Sequence, residues 1–140
     1  MITRPVLVTA LFFLLTIAVD QATKMNAALV TLNTGISFGL FPSSLLTFLL
    51  SGVLLLIAYQ FGKLFFQVSP VLTGIFFGGS TSNLIDRALY GGVRDFLPIP
   101  FFSIHNNLAD WAIILSLLWL FWQLHHSNFK KEGIMSQESA

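Results

Sequence analysis

Two aspartates, Asp95 and Asp110, are the residues of this sequence best suited to do chemistry. Only fourteen residues separate them, and long apolar stretches lie on both sides of the segment that holds them. Two carboxylates within roughly 3 Å of each other cannot both ionise, so they share a proton. One can then act as a base on water while the other donates a proton. The pair predicts aspartic-peptidase chemistry; the alternative is that each aspartate caps a helix or pairs with Arg87 or Arg94.

The composition places this chemistry in a membrane. Of the 140 residues, 55% are hydrophobic and only 9% are charged, whereas soluble domains carry about 25% charged residues. The net charge of +1 and the lack of a basic patch exclude a nucleic-acid partner. Cysteine is absent, which excludes disulfides and thiolate chemistry. Because His105, His125 and His126 are not spaced like zinc ligands, we expect no metal and no cofactor.

The apolar runs predict an all-α membrane protein with four transmembrane helices. The predicted spans are residues 2–19, 40–62, 64–84 and 108–124, joined by short extramembrane loops. Residues 1–19 also resemble a secretory signal peptide, but they lack a good cleavage site, so we interpret them as a retained helix. Glycines and serines between Gly74 and Ser82 suit close helix packing. We expect a transmembrane peptidase domain over 1–126 and a disordered cytoplasmic tail over 127–140.

The charged residues give the expected orientation. Four spans put both termini on one side, together with Arg4, Lys63, Lys130 and Lys131, which favours cytoplasmic termini. All four aspartates, Asp20, Asp86, Asp95 and Asp110, fall at the opposite end. Ionisable groups at membrane depth are costly and usually functional. The site is therefore predicted near the outer face.

The two aspartates have different predicted supports. Asp110 lies at the start of the fourth span, three residues after Asn107, which can cap that helix. At this position the helix dipole favours a carboxylate. Asp95 precedes Pro98 and Pro100, which rule out a regular helix there and favour an extended segment.

Five segments of the chain resemble signature segments of the lipoprotein signal peptidases, also called type II signal peptidases. They are DQATK (20–24), NTGISFG (33–39), GGSTSNLIDR (78–87), GGVRDF (91–96) and NNLAD (106–110). Each segment is weak alone, but together they cover about a third of the chain and occur in the order that the family has.

The resemblance implies a four-helix aspartyl endopeptidase of the bacterial inner membrane, acting as a monomer. Its substrates would be diacylglyceryl-modified prolipoproteins, cut just before the lipidated cysteine, and the cyclic peptide globomycin would inhibit it. The residues it implies are Asp95 and Asp110 as the catalytic dyad, Asn33, Asn83, Arg87 and Asn107 as dyad support or substrate contacts, and Asp20 and Lys24 as structural.

Three departures from the family pattern concern the walls of the site. Asn106 replaces an aromatic residue, and an unusual His105 precedes it. The segment between Lys24 and Asn33 is short, so we expect at most a reduced β-cradle in the first outer loop, residues 20–39. The loop between the aspartates is also short, and it has prolines in a place where a short amphipathic helix could otherwise form.

Three other functions remain as alternatives from the sequence. The first is a non-catalytic homologue that binds lipidated peptides. The second is a small transporter or channel, although transporter sites lie near the middle of the membrane rather than at one end. The third is a Ser–Lys peptidase that uses Lys24, with Ser37 as the serine.

Overall fold

The computed structural model describes residues 3–35, 44–101 and 104–138. Five helices dominate this part of the chain, together with four short strands. The helices are α1 (Arg4–Asn26), α2 (Ser44–Gln60), α3 (Gly62–Val68), α4 (Pro70–Tyr90) and α5 (Leu108–Glu138). The strands are β1 (Thr31–Asn33), β2 (Val93–Asp95), β3 (Leu97–Pro98) and β4 (His105–Asn106). Helix α5 continues to Glu138 through the segment for which the sequence predicts a disordered tail.

Two helices in the described part of the chain are long and apolar enough to cross a membrane. They are Arg4–Asn26 and the Leu108–His126 portion of α5. A third span exists if α2 and α3, which meet at an angle of 56°, act as one broken helix. Helix α4 is long enough but less apolar, because its second half carries the GGSTSN segment, Asp86 and Arg87.

Three predicted boundaries were wrong. Residues 20–26 are helical rather than part of a loop, because Asp20 and Lys24 form an ion pair on one face of α1. The second apolar run bends after Gln60 and ends at Val68. The next helix begins at Pro70 rather than at residue 64, with Ser69 as its N-cap. Proline suits the first turn of a helix, where its missing N–H is not needed.

Glycines bring α1, α4 and α5 into backbone contact. A Cβ atom at Gly74 would lie 2.5 Å from the Thr9 carbonyl oxygen, and one at Gly78 would lie 2.7 Å from the Phe13 carbonyl oxygen. On the other side of α4, a Cβ atom at Gly79 would lie 2.8 Å from the Ala109 carbonyl oxygen. Helix α4 therefore packs between α1 and α5, and the packing role predicted for its small residues is confirmed.

We expect Gly78→Ala to destabilise the protein by about 1–3 kcal/mol, because overpacking a tight contact forces the backbones apart. The measurement is the midpoint of thermal unfolding of the purified protein in detergent. Gly52→Ala in α2 is the matched control, since a Cβ atom at Gly52 meets nothing within 4 Å. Equal midpoints for the two variants would show that the α1–α4 contact is not tight.

The strands connect the two loops that carry the predicted site. Strand β1 pairs antiparallel with β2, which places Thr31 opposite Asp95 and Asn33 opposite Val93. Strand β3 pairs with β4, so Pro98 lies in an extended segment, as predicted. The small β structure expected in the first outer loop is therefore present as β1. Ile2, Ser37 and Gly39 lie outside the described residues.

Candidate active site

Asp95 is the last residue of β2, and its side chain is buried, with only 2% exposed. Its Oδ2 accepts a hydrogen bond from Asn33 Nδ2 at 3.1 Å, and its Oδ1 accepts one from Asn107 Nδ2 at 2.6 Å. The Thr31 hydroxyl donates to the Asp95 carbonyl oxygen at 3.0 Å. Pairing with β1 thus fixes both the backbone and the carboxylate of Asp95.

Asp110 lies in the first turn of α5, and Asn107 caps that turn. The Asp110 backbone N–H donates to Asn107 Oδ1 at 3.0 Å, which confirms the predicted capping geometry. The Asp110 carboxylate accepts from Asn83 Nδ2 at 2.7 Å on Oδ1 and from Asn107 Nδ2 at 3.0 Å on Oδ2. Asn83 reaches this position from α4.

The Asn107 amide nitrogen donates to both carboxylates, so the side chains of Asp95 and Asp110 lie next to each other in the structure. Each of the four carboxylate oxygens accepts one amide N–H, two from Asn107 and one each from Asn33 and Asn83. Amide donors stabilise the ionised form of a carboxylate. The two carboxylates are held in fixed positions, and among the described residues no cation forms an ion pair with either.

A cavity of about 360 Å³ opens on this pair. Its lining combines the two aspartates with apolar and polar side chains, namely Asn33, Leu54, Arg87, Val93, Asp95, Ile104, His105, Asn106, Asp110, Ile113 and Ile114. A larger apolar cavity of about 770 Å³ lies between α1, α2, α3 and α4 and includes neither aspartate. The smaller cavity has the carboxylates that chemistry needs, so it is the candidate active site.

Arg87 is the cation in the wall of this cavity. Its Nη2 donates to the Gly35 carbonyl oxygen at 2.9 Å. Its Nη1 is buried and has no hydrogen-bond acceptor within the described part of the chain. A buried guanidinium N–H without an acceptor is costly. Arg87 therefore has an N–H available for a group that enters the cavity.

A buried ion cluster lies behind the carboxylate pair. Lys24 Nζ is 2.7 Å from Asp20 Oδ2 and 3.1 Å from Asp86 Oδ2, and all three side chains are at most 1% exposed. Arg94 Nη2 binds Asp86 Oδ1 at 2.8 Å. Asp20 Oδ1 also accepts the backbone N–H of Ala109 at 2.8 Å. The cluster ties α1, α4 and β2 to the start of α5.

A family model described as signal peptidase (SPase) II matches residues 12–126, a stretch that contains both aspartates and all five signature segments. The chain belongs to the signal peptidase II family. Curated lipoprotein signal peptidases are similar to it. The one from Syntrophomonas wolfei is 38% identical over 59% of this chain and 56% of its own length. The one from Moorella thermoacetica is 33% identical over 66% and 63%.

A further lipoprotein signal peptidase, from a Methylobacterium species, is 30% identical over 78% of this chain and 77% of its own length. The alignments with the Syntrophomonas and Moorella proteins span less than two thirds of those relatives. Two solved structures of bacterial membrane enzymes share the fold, each at 19% identity. One has a TM-score of 0.71 over 88% of this chain and 90% of its own; the other has 0.65 over 83% and 91%.

The residues singled out by resemblance to signal peptidase II fall into three groups in the structure. Asn33, Asn83 and Asn107 contact the aspartates directly. Arg87 lines the cavity without a hydrogen bond to either carboxylate. Asp20 and Lys24 belong to the ion cluster, but Lys24 also donates to Asn83 Oδ1 at 3.0 Å. Among the described residues, no three histidine or acidic side chains form a group that could hold a metal ion.

Sequence reasoning missed two members of the cluster, Gln21 and Ser82. Gln21 donates to Asp86 Oδ1 at 2.9 Å and accepts from Arg94 Nη2 at 2.6 Å. The Ser82 hydroxyl donates to Asp20 Oδ2 at 2.7 Å. The available signal was the four-residue spacing of Ser82 and Asp86, which puts both on one face of α4, as Asp20 and Lys24 share a face of α1.

Burial and hydrogen bonding act in opposite directions on the protonation of Asp95. Burial raises its pKa above the ordinary value, although the hydrogen bonds from Asn107 and Asn33 lower it. Hydrogen bonding to Asp86 raises the pKa of Arg94, so that residue stays charged. Burial outweighs the hydrogen bonds, so Asp95 keeps its proton more readily than a solvated aspartate does.

Proposed function

We propose that this chain is an intramembrane aspartyl endopeptidase that removes signal peptides from diacylglyceryl-modified prolipoproteins. It cuts just before the lipidated cysteine. The observation that carries the proposal is the single Asn107 amide that donates to both Asp95 and Asp110 in a chain of the signal peptidase II family. Asp95 and Asp110 are the catalytic residues.

The chemistry needs one proton shared by the pair. The ionised carboxylate takes a proton from a water molecule, and the hydroxide oxygen attacks the scissile carbonyl carbon. The protonated carboxyl donates its proton to the carbonyl oxygen. The intermediate then collapses, the C–N bond breaks, and the amine of the lipidated cysteine leaves with a proton from the pair, while one hydroxyl of the intermediate returns its proton to the pair. Either aspartate can begin as the base, since each accepts two amide N–H groups.

Substrate binding uses the rest of the cavity. Arg87 Nη1 offers its N–H to a backbone carbonyl oxygen of the substrate, which would satisfy this buried donor. Leu54, Ile113 and Ile114 give the cavity an apolar wall, suited to the lipid on the cysteine that follows the cleaved bond. Asn33, Asn83 and Asn107 hold the carboxylates in place during the reaction.

The proposed topology has four spans in the bacterial inner membrane. Helix α4 is the fourth span, because its glycines bring it into contact with the two apolar helices α1 and α5, and polar residues in a membrane span face other helices rather than lipid. The termini are cytoplasmic, and the site lies near the outer face. We propose that the enzyme acts as a monomer, because a single chain supplies both carboxylates and the three asparagines that hold them.

The direct test is cleavage of a synthetic prolipoprotein peptide by the full-length protein in liposomes. We expect a peptide with diacylglyceryl cysteine to be cut on the amino-terminal side of that cysteine, as shown by product masses. The same peptide with unmodified cysteine is the matched control and should be cut much more slowly. Binding of the lipidated peptide without any product would identify a non-catalytic homologue and reject the proposal.

The shared proton predicts how turnover depends on pH. Burial raises the pKa of Asp95 in the folded protein, so the pair keeps its proton above the ordinary carboxyl range, which is near pH 4. We expect kcat to stay high through that range and to fall as pH rises through the raised pKa, when the pair loses its proton. Asp95's contribution to stability follows the same course, being full below the unfolded pKa and lost at higher pH. A kcat profile that already declines near pH 4 would contradict this assignment.

A further inference from the structure

In each of the three asparagines that contact the dyad, the amide oxygen accepts a hydrogen bond from another group. Asn107 Oδ1 accepts the Asp110 backbone N–H, and Asn33 Oδ1 accepts the Gly35 backbone N–H at 3.1 Å. Asn83 Oδ1 accepts from Lys24 Nζ at 3.0 Å. A primary amide can present either its oxygen or its NH2 group to a neighbour after a half-turn. The donor on each oxygen therefore decides that the NH2 group faces the carboxylates.

Lys24 differs from the other two donors because it is a side chain. A lysine ammonium has three N–H donors and no acceptor. Here all three have a partner, namely Asn83 Oδ1, Asp20 Oδ2 and Asp86 Oδ2. The ammonium is fully buried, so the two carboxylates keep it in place against Asn83.

We propose that Lys24 is a positioning residue for catalysis, which holds the Asn83 amide with its NH2 group toward Asp110. This inference rests on the proposed function and goes beyond the structural role that family resemblance implies for Lys24. The route is Lys24 Nζ to Asn83 Oδ1, and then Asn83 Nδ2 to Asp110 Oδ1 at 2.7 Å.

The orientation of Asn83 affects the proton that the reaction uses. If the amide turned over, its oxygen would face Asp110 Oδ1, and two acceptors at hydrogen-bond distance require a proton between them. Asp110 would then hold its proton toward Asn83, where neither Asp95 nor the substrate can receive it. Asn83 is not among the residues that line the cavity. The loss should therefore appear in kcat and leave KM unchanged.

The test is a double-mutant cycle on the full-length protein in liposomes, with the diacylglyceryl-cysteine peptide as substrate. We expect Lys24→Met to lower kcat roughly 10- to 100-fold, the range that a hydrogen bond to a charged group gives. Asn83→Leu should lower kcat by a similar factor. Because Lys24 acts through Asn83, adding Lys24→Met to Asn83→Leu should then cause little further loss of kcat.

Gln21→Met serves as the structural control. It removes the hydrogen bonds of Gln21 with Asp86, Ser82 and Arg94 in the same cluster, none of which involves Lys24 or Asn83. When the thermal midpoints of the two variants fall by the same amount, we expect a much smaller loss of kcat for Gln21→Met than for Lys24→Met. If two equally destabilised variants lose the same factor in kcat, Lys24 has only a structural role and the inference is overturned.

A second variant keeps Lys24 intact if Lys24→Met fails to fold. Asn83→Asp retains a partner for Lys24 but presents an acceptor to Asp110, as a reversed amide would. We expect its kcat at neutral pH to fall below that of Asn83→Leu, which presents no polar atom. An Asn83→Asp variant at least as active as Asn83→Leu would overturn the inference.

The two proposals fail in different ways. No cleavage by the wild-type protein would overturn the proposed function, and this inference with it. Suppose instead that the wild-type protein cleaves the peptide. If the double variant then loses kcat by the product of the two single losses, or if the variants change only KM, the role of Lys24 alone is overturned.

Discussion

Asp95→Asn and Asp110→Asn are each expected to lower kcat by about 10²- to 10⁴-fold, the range for loss of a general acid or base. Asparagine keeps the size of the side chain but cannot carry the shared proton. In addition, both Asp95 oxygens accept amide N–H groups, so an amide in their place would put two donors against each other. The measurement is the single-turnover rate of lipidated-peptide cleavage in liposomes.

Folding must be separated from chemistry in these two variants. The thermal unfolding midpoint and the affinity for the uncleaved lipidated peptide provide the controls, since a folded variant should still bind it. If either variant is folded and turns over at close to the wild-type rate, Asp95 and Asp110 are not a catalytic pair. A proton flux in liposomes that depends on Asp110 would instead favour the transporter interpretation.

The largest expected effect on stability is at Asp86. Asp86→Asn should destabilise the protein by about 3–5 kcal/mol, because removing one partner of a buried ion pair leaves the others uncompensated. Asp86 is 0% exposed and binds Lys24, Arg94 and Gln21. The measurement is the midpoint of thermal unfolding in detergent.

A matched double variant tests the cause of this loss. Asp86→Asn combined with Arg94→Gln removes one charge of each sign and leaves Lys24 paired with Asp20. We expect it to recover part of the stability that Asp86→Asn alone loses. A double variant that is less stable by the sum of the two single losses would show that charge balance in the cluster is not the cause.

Local patterns in the sequence predicted the parts of the site that depend on near neighbours. Asn107 caps the helix that carries Asp110 from three residues away, and Asp20 and Lys24 lie one helical turn apart. Such contacts follow from backbone geometry within one element. The extended segment at Pro98 followed from proline chemistry in the same way.

Contacts between distant parts of the chain could not be predicted from the residues alone. Asn33 and Asp95 are 62 positions apart, and Gln21 and Arg94 are 73 apart. Both contacts require α1 to approach α4. That approach is possible because Gly74 and Gly78 have no Cβ atom, which would collide with the backbone of α1. Family resemblance indicated which residues matter, but it gave no bond between Lys24 and Asn83.

The ion pair between Lys24 and Asp20 also bears on how the chain enters the bilayer. Both residues lie in α1, one turn apart and with opposite charges, so this end of the first helix carries no net charge when it inserts, before any later helix is made. A lone charge at the centre of a membrane helix opposes insertion by roughly 2.5–3.5 kcal/mol, which is an upper limit for a charge near the end of the span. Asp86 arrives later on α4, and Arg94 follows only eight residues behind it. Each acid of the cluster is thus synthesised close to a base, and membrane insertion does not have to wait for the completed site.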